Sequence, residues 1–149
     1  MRKELSQSSI DIIKKSACCI TSNDVKISSR MYEILFEKYP KLKVLFANSP
    51  NDQHMKLANA ISSYAVNIDK IHVLFPALEV IAISHVREDV KPQHYPLVGR
   101  AFIQAIEDVL GDDASMELLD AWREVYKYIA DILIEMEENL YKQQEERQK

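Results

Sequence analysis

Residues 119–141 read LDAWREVYKYIADILIEMEENLY and contain neither glycine nor proline. Apolar side chains recur in this stretch at intervals of three and four residues, which is the spacing of one face of an α-helix. The residues on that face are Trp122, Tyr126, Ala130, Leu133 and Leu140. The pattern predicts a long helix that packs one face on a core, ends at about Tyr141 and is followed by a solvated tail over 142–149.

Glu137 falls inside this apolar stripe, four residues after Leu133. A carboxylate is costly to bury unless it is paired or hydrogen-bonded. Two interpretations therefore stay open: the helix end projects from the core and exposes Glu137, or the carboxylate is buried against partners elsewhere in the chain.

The rest of the composition favours one all-α domain over 1–149. The chain has 149 residues, two glycines and five prolines, and its β-branched residues never alternate strictly with polar ones. Chains of this length usually form one domain, and a sheet with many tight turns needs more glycine and proline. Capping and periodicity signals predict about seven helical segments. Their expected first residues or caps are Ser6, Ser22 or Asn23, Pro40, Asp52, Pro76, Pro92, and Asp112 or Asp113.

Charge and hydropathy exclude several kinds of partner. The net charge is −4, and no basic run is interleaved with aromatic residues, so nucleic acid is not expected. No apolar stretch reaches membrane-spanning length, and the first residues lack a hydrophobic signal core, which predicts a cytoplasmic protein without a membrane partner. Cys18 and Cys19 are neighbours with no third cysteine to pair with, so we expect two thiols in a reducing compartment.

Of two histidines in this region, His85 lies at the end of the predicted helix that starts near Pro76, and His94 comes after that helix. Ile81 and Leu78 precede His85 by four and seven residues, so the three share one apolar helical face. His85 is therefore predicted to point into the core, either as a hydrogen-bonded core histidine or as a ligand of a cofactor. His94 lies in the first turn of the next helix, where side chains often remain in water.

Four stretches in order resemble one family. They are MYEILFEKYPKLKVLF (31–46), LANAISSYAVNIDKI (57–71), HYPLVG (94–99) and residues 119–141. From about Leu5 to Tyr141 the chain resembles the single-domain bacterial haemoglobins, which are similar to the haem domain of flavohaemoglobins. The resemblance implies a globin fold around a haem pocket. The haem would be haem b, bound non-covalently because no Cys-x-x-Cys-His motif is present.

The resemblance also implies roles for individual residues. His85 matches the proximal iron ligand, and Tyr95 and Glu137 match the residues that form a hydrogen-bonded set with it. On the distal side, Tyr32 and Gln53 match the donors to a bound gas. The positions expected to contact haem are Phe46, Leu57, Ile61, Ile81, His85, Val90, Tyr95, Val98 and Tyr126. His54 follows Gln53 by about 100° around the helix, so His54 stays open as an alternative distal residue or sixth iron ligand.

The implied chemistry has two parts. A carboxylate that accepts the second imidazole N–H makes the histidine a stronger electron donor, which favours oxygen activation over simple storage. The resemblance therefore implies a globin that binds dioxygen and oxidises nitric oxide to nitrate, with Tyr32, Gln53, Tyr95 and Glu137 as the catalytic set. A separate reductase would be needed, because the chain has no glycine-rich nucleotide-binding loop and no reductase domain. Oxygen storage or delivery and gas sensing are the alternatives, and a homodimer stays open.

Overall fold

The computed structural model describes residues 4–47 and 53–148, which fold into six α-helices and four short 3₁₀ helices. The α-helices are α1 (Gln7–Ser22), α2 (Asp24–Lys38), α3 (Gln53–Val66), α4 (Phe75–Arg87), α5 (Tyr95–Leu110) and α6 (Met116–Arg147). The 3₁₀ helices are Pro40–Phe46, Ile68–Leu74, Pro92–His94 and Gly111–Asp113. No strand occurs within the described ranges, and the predicted all-α fold is confirmed.

The first helix begins where the sequence predicts. The Ser6 hydroxyl caps α1 by accepting the backbone N–H of Ser9 at 3.2 Å. Such a cap replaces one of the hydrogen bonds that the first turn of a helix lacks. Asn23 stands at the predicted cap position of α2 but makes no side-chain cap hydrogen bond.

Both predicted ends of the last helix are wrong. Asp112 and Asp113 form a 3₁₀ turn, and the cap of α6 is Ser115, whose hydroxyl accepts the N–H of Leu118 at 3.1 Å. α6 then continues beyond Tyr141 to Arg147. Nothing after Tyr141 is a glycine or proline that would stop a helix, and the side chains at 142–148 are exposed.

One further segment differs from the prediction, and another predicted segment lies outside the described residues. Residues Ile68–Leu74 form a 3₁₀ segment with a kink at Lys70 (φ −147°, ψ 52°), which the sequence pattern did not predict. The predicted turn over 47–52 and the helix start at Asp52 lie outside the described residues, apart from Ala47. The described part of α3 begins at Gln53.

The core forms where α5 and α6 cross the other helices. α5 packs against α2, while α6 packs against α1, α4 and α5. At the centre the buried ring of Trp122 meets Phe102 edge to face, with centroids 5.7 Å apart. Among the described residues, no helix is both long and apolar enough to cross a bilayer. This arrangement brings three helices, α4, α5 and α6, to one place beside the core.

Candidate functional site

The inner side of α4 is divided into two rows. Leu78, Ala82 and Val86 are buried, whereas Ile81 and His85 form a neighbouring row that is half-buried. His85 is predicted to share the apolar face of Leu78 and to point into the core; its Nδ1 does meet the buried Glu137, while 31% of its side chain is exposed. His85 stands at the rim of the core, where its ring can meet both the core and a ligand.

Three side chains from three helices meet at His85. Nδ1 of His85 lies 2.9 Å from Oε2 of Glu137 and 3.0 Å from the hydroxyl oxygen of Tyr95. The Tyr95 hydroxyl donates to the same carboxylate, at 2.9 Å from Oε1 and 2.8 Å from Oε2. α4, α5 and α6 each contribute one member, so residues far apart in the sequence form one hydrogen-bonded triad.

Burial resolves the question that the sequence left open for Glu137. Its side chain is only 4% exposed, so the carboxylate lies inside the apolar stripe and is satisfied by two donors. Burial, together with the charge of Glu137, raises the pKa of Tyr95 far above its usual range, so Tyr95 stays protonated and donates. The carboxylate thus accepts from both partners and holds Nδ1 of His85 as its N–H donor.

The opposite ring nitrogen of His85, Nε2, has no hydrogen-bond partner among the described residues. An imidazole with one N–H donated to a carboxylate and the other nitrogen free is the arrangement that haem and metal ligands use. Five of the apolar side chains predicted to contact haem are half-buried and pack against the core, namely Phe46, Leu57, Ile81, Val90 and Val98. The residues present therefore fit a haem whose iron is held by Nε2.

Tyr126 packs against the part of α5 that carries Tyr95. Its hydroxyl donates to the backbone carbonyl of Tyr95 at 2.7 Å, and its ring covers Gly99 on the next turn of α5. A Cβ at Gly99 would lie 2.7 Å from Cε2 of Tyr126. Glycine is thus required here for the close approach of ring and backbone. The structure therefore places the Tyr126 hydroxyl against the backbone of Tyr95. The predicted contact of Tyr126 with haem stays a prediction.

We expect Gly99→Ala to lower the free energy of unfolding by about 1–3 kcal/mol, the usual cost of overpacking a core. The added methyl group displaces the Tyr126 ring and breaks its bond to Tyr95. Urea denaturation measures the loss, and Tyr126→Phe isolates the hydrogen bond because it keeps the ring. Full stability in Gly99→Ala would show that the ring moves away at no cost.

A second cluster lies on α2, α3 and the Pro40–Phe46 segment. Burial raises the pKa of Tyr32 to about 12, and a hydrogen bond from the Gln53 side chain opposes that rise. The Tyr32 ring stacks on Phe36 at 5.7 Å and meets Phe46 edge to face at 5.4 Å. The predicted distal pair, Tyr32 and Gln53, is therefore brought together with the predicted haem-packing residue Phe46.

His54, the alternative distal residue, and His94 both make hydrogen bonds outside the triad. The backbone carbonyl of His54 accepts the buried Ser28 hydroxyl at 2.6 Å, which ties α3 to α2. Nδ1 of His94 accepts the backbone N–H of Lys91 at 2.9 Å, a bond within the turn that precedes α5. The side chain that lowers the pKa of Tyr32 is that of Gln53 and not that of His54.

Ile61 and Tyr95 are buried, whereas the other predicted haem-contact residues are half-buried. Ile61 is 2% exposed and packs within the core, so the structure does not bring it to the half-buried surface near His85. Sequence reasoning also missed Phe36, which completes the aromatic cluster with centroids 5.3 Å from Phe46. Its position four residues after Tyr32, on the same helical face, was the available signal.

The six-helix fold and the histidine at the rim of its core define a globin, and the comparisons agree. Residues 29–133 match the family described as Globin, and the chain belongs to that family. The chain is 48% identical to a globin-like protein of Aquifex aeolicus over 139 residues, covering 93% of this chain and 99% of that one. A flavohemoprotein of Rhodopirellula baltica is 40% identical over 94% of this chain. The chain spans 35% of the length of that flavohemoprotein.

Solved structures show the same fold. An engineered carbene transferase from Rhodothermus marinus, whose parent carries a provisional assignment as a nitric oxide dioxygenase, superposes with a TM-score of 0.89 at 38% identity, covering 93% of this chain and 96% of that one. A bacterial globin from Campylobacter jejuni gives 0.84 at 31% identity over 92% and 99%. A flavohemoglobin from Malassezia yamatoensis, with bound FAD and haem, gives 0.83 at 26% identity over 95% of this chain and 38% of its own.

Proposed function

We propose that this globin binds haem b non-covalently, binds dioxygen, and oxidises nitric oxide to nitrate with electrons from a separate reductase. The observation that carries the proposal is the triad at His85. When bound, the haem would supply an iron centre that takes up the gas and exchanges one electron. Every other part of the chemistry is assigned to side chains of this chain.

On the proximal side, the protein controls the charge of the iron ligand. A buried carboxylate 2.9 Å from Nδ1 draws the imidazole proton toward itself, which makes Nε2 a stronger donor. Tyr95 donates to the same carboxylate and fixes its orientation. A globin that only stores oxygen needs less electron donation from its proximal histidine to the iron. This arrangement therefore favours oxygen activation over storage.

On the distal side, Tyr32 and Gln53 would present donors to the bound gas. The Tyr32 hydroxyl stays protonated at neutral pH because burial raises its pKa to about 12. A buried, preorganised donor stabilises negative charge that develops on a ligand more than water does. Phe36 and Phe46 hold the Tyr32 ring in place from two sides.

The reaction balances with one electron. Nitric oxide, dioxygen and one electron give one nitrate ion, so each turnover requires one reducing equivalent from the partner reductase. The flavohemoglobin from Malassezia yamatoensis holds both FAD and haem, which supports a flavin protein as that reductase. Free thiols at Cys18 and Cys19 are consistent with the reducing cytoplasm, where we place the reaction.

Stopped-flow mixing of the oxygenated, haem-loaded protein with nitric oxide tests this function. We expect rapid, stoichiometric formation of nitrate, followed by repeated turnover when a flavin reductase and NADH are added. Nitrate formation that is slow and stops after one equivalent in the presence of an active reductase would leave oxygen storage or delivery as the better assignment.

Glu137→Gln separates oxygen activation from plain binding. The amide keeps the shape but accepts a weaker hydrogen bond, by roughly 1 kcal/mol, which for one electron corresponds to roughly 40 mV. We therefore expect the iron–histidine stretching frequency of the ferrous protein to fall and the reduction potential to rise by about that amount. Resonance Raman spectroscopy and spectroelectrochemistry measure the two quantities.

Glu138→Gln is the matched control for this substitution, because Glu138 is the next residue and is exposed. It should leave both quantities unchanged. Equal spectra and potentials for wild type, Glu137→Gln and Glu137→Leu would mean that the carboxylate does not tune the iron, and the proposal for oxygen activation would lose its main support.

A homodimer is a further proposal, and an apolar row on α4 supports it. Val80 is 66% exposed and Ile83 54% exposed, on the side of α4 that faces away from the core. Val80 and Ile83 are neighbours on one helix face, and exposed apolar neighbours can form part of a contact surface. Sedimentation of the haem-loaded protein and of Ile83→Lys would detect such a dimer as a mass that the substitution halves.

A further inference from the structure

The link between α4 and α5 starts from His85 itself. Residues 88–94 join the helix that carries His85 to the helix that carries Tyr95. The backbone N–H of Val90 donates to the backbone carbonyl of His85 at 2.9 Å. Between them, Asp89 adopts a left-handed conformation with φ +65°, the one such non-glycine residue among those described. The Asp89 N–H also donates to the Val86 carbonyl at 3.1 Å, so two backbone hydrogen bonds close the C-terminal turn of α4 around the left-handed residue.

Tyr141 on α6 adds a contact to this turn from a neighbouring helix. Its hydroxyl donates to the backbone carbonyl of Val90 at 2.8 Å. The Lys91 ammonium lies 3.8 Å from the centroid of the Tyr141 ring, and it also pairs with Asp89 at 3.1 Å. One aromatic side chain thus contacts the link at two consecutive residues, by a hydrogen bond and by a cation–π interaction.

Tyr141 follows Glu137 by four residues on α6, so both side chains leave the helix on the same face, one turn apart. Glu137 holds the His85 ring at Nδ1, and Tyr141 holds the backbone segment that leaves His85. The sequence predicted that α6 ends at about Tyr141. The turn of α6 around Tyr141 instead contacts the link that leaves His85.

We propose that Tyr141 is a positioning residue for His85, which acts through Val90 and Lys91 to fix the direction of the imidazole. This inference rests on the proposed haem-binding role of His85. Without the Tyr141 hydroxyl, the left-handed turn at Asp89 loses its external support, and the His85 backbone gains freedom. The ring is then held by Glu137 and Tyr95 alone, and its angle to the iron becomes less well defined.

Tyr141→Phe in the haem-loaded protein is the direct test, because it removes the hydroxyl and keeps the ring under Lys91. A typical hydrogen bond of about 0.5–1.5 kcal/mol corresponds to a change of roughly two- to tenfold in an equilibrium or rate. We expect amide exchange at Val90 and haem transfer to excess apomyoglobin to accelerate by such a factor. The iron–histidine stretching band should also shift or broaden, which a merely structural contact would not cause.

Tyr128→Phe is the matched control, since Tyr128 lies on the same helix and its hydroxyl makes no hydrogen bond to a described residue. It should match the wild type in all three measurements. Lys91→Met is an independent variant that removes the cation from the ring, and it should show the same effects at smaller size.

Unchanged Val90 exchange and an unchanged iron–histidine band in both Tyr141→Phe and Lys91→Met would overturn the proposal. None of these measurements depends on nitrate formation. A protein that binds haem but does not oxidise nitric oxide would therefore refute the proposed reaction and still give a decisive result here.

Discussion

His85→Ala is expected to abolish stable haem binding. Second-layer substitutions typically cost about 10–100-fold in metal affinity, so loss of the ligand itself should exceed roughly 100-fold in the rate of haem loss. His94 makes no contact with the triad, because its Nδ1 accepts the backbone N–H of Lys91 within the turn before α5. The Soret spectrum after gel filtration and the rate of haem transfer to apomyoglobin measure the effect.

His94→Ala serves as the control, because it removes a turn hydrogen bond and no contact of the triad. It should retain haem with a normal spectrum. Adding imidazole to His85→Ala should restore an axial ligand and slow the loss of haem. Loss of haem in His94→Ala together with a normal spectrum in His85→Ala would reassign the iron ligand to His94.

The fold could be predicted mostly from helical periodicity and from the shortage of glycine and proline. The caps were less certain, because several polar residues stand next to each predicted helix start and only one of them satisfies the geometry. Near residue 115 the chain offers Asp112, Asp113 and Ser115, and the turn at Gly111, with φ +56°, decides in favour of the serine. The kinked Ile68–Leu74 segment depends on tertiary packing, because Asn67 stands at its cap position but makes no side-chain cap hydrogen bond.

The triad could be predicted only in part from the residues themselves. Glu137 stands out because an acid in an apolar stripe demands a partner, and that demand is physical. Nothing in the sequence identified the partners without the family resemblance, since Tyr95 and Tyr126 both resemble ordinary core residues. Tyr141 gave no signal at all, because its role depends on how far α6 extends and on where the link from His85 turns.

The triad also explains why the acid, the phenol and the imidazole must occur together. Replacing a single member leaves a buried donor or acceptor without its partner, which costs about 1–3 kcal/mol. A compensating pair of apolar residues would pack as well in the stripe of α6. The carboxylate instead holds Nδ1 of His85 at 2.9 Å, and this effect on the histidine is the ground on which we propose oxygen activation.

Tyr32→Phe is expected to raise the dioxygen dissociation rate of the haem-loaded protein by roughly 10–100-fold. A hydrogen bond to a charged group contributes about 1.5–3 kcal/mol, and each 1.4 kcal/mol is a factor of ten. The ring itself stays packed against Phe36 and Phe46, so the substitution removes the donor and preserves the aromatic cluster. Flash photolysis and stopped-flow displacement by carbon monoxide give the rates.

Controls for Tyr32→Phe distinguish a donor effect from a packing effect and identify the second donor. Tyr64→Phe removes another buried hydroxyl, one whose pKa is also raised to about 12 but by burial alone, and it should leave the rate near the wild-type value. Gln53→Leu should raise the rate by a smaller factor, and it should add little to Tyr32→Phe, because the two donors would act on one ligand. His54→Leu should have no effect. A dissociation rate that responds to His54→Leu but not to Tyr32→Phe or Gln53→Leu would move the distal site by one position along α3, placing His54 over the iron.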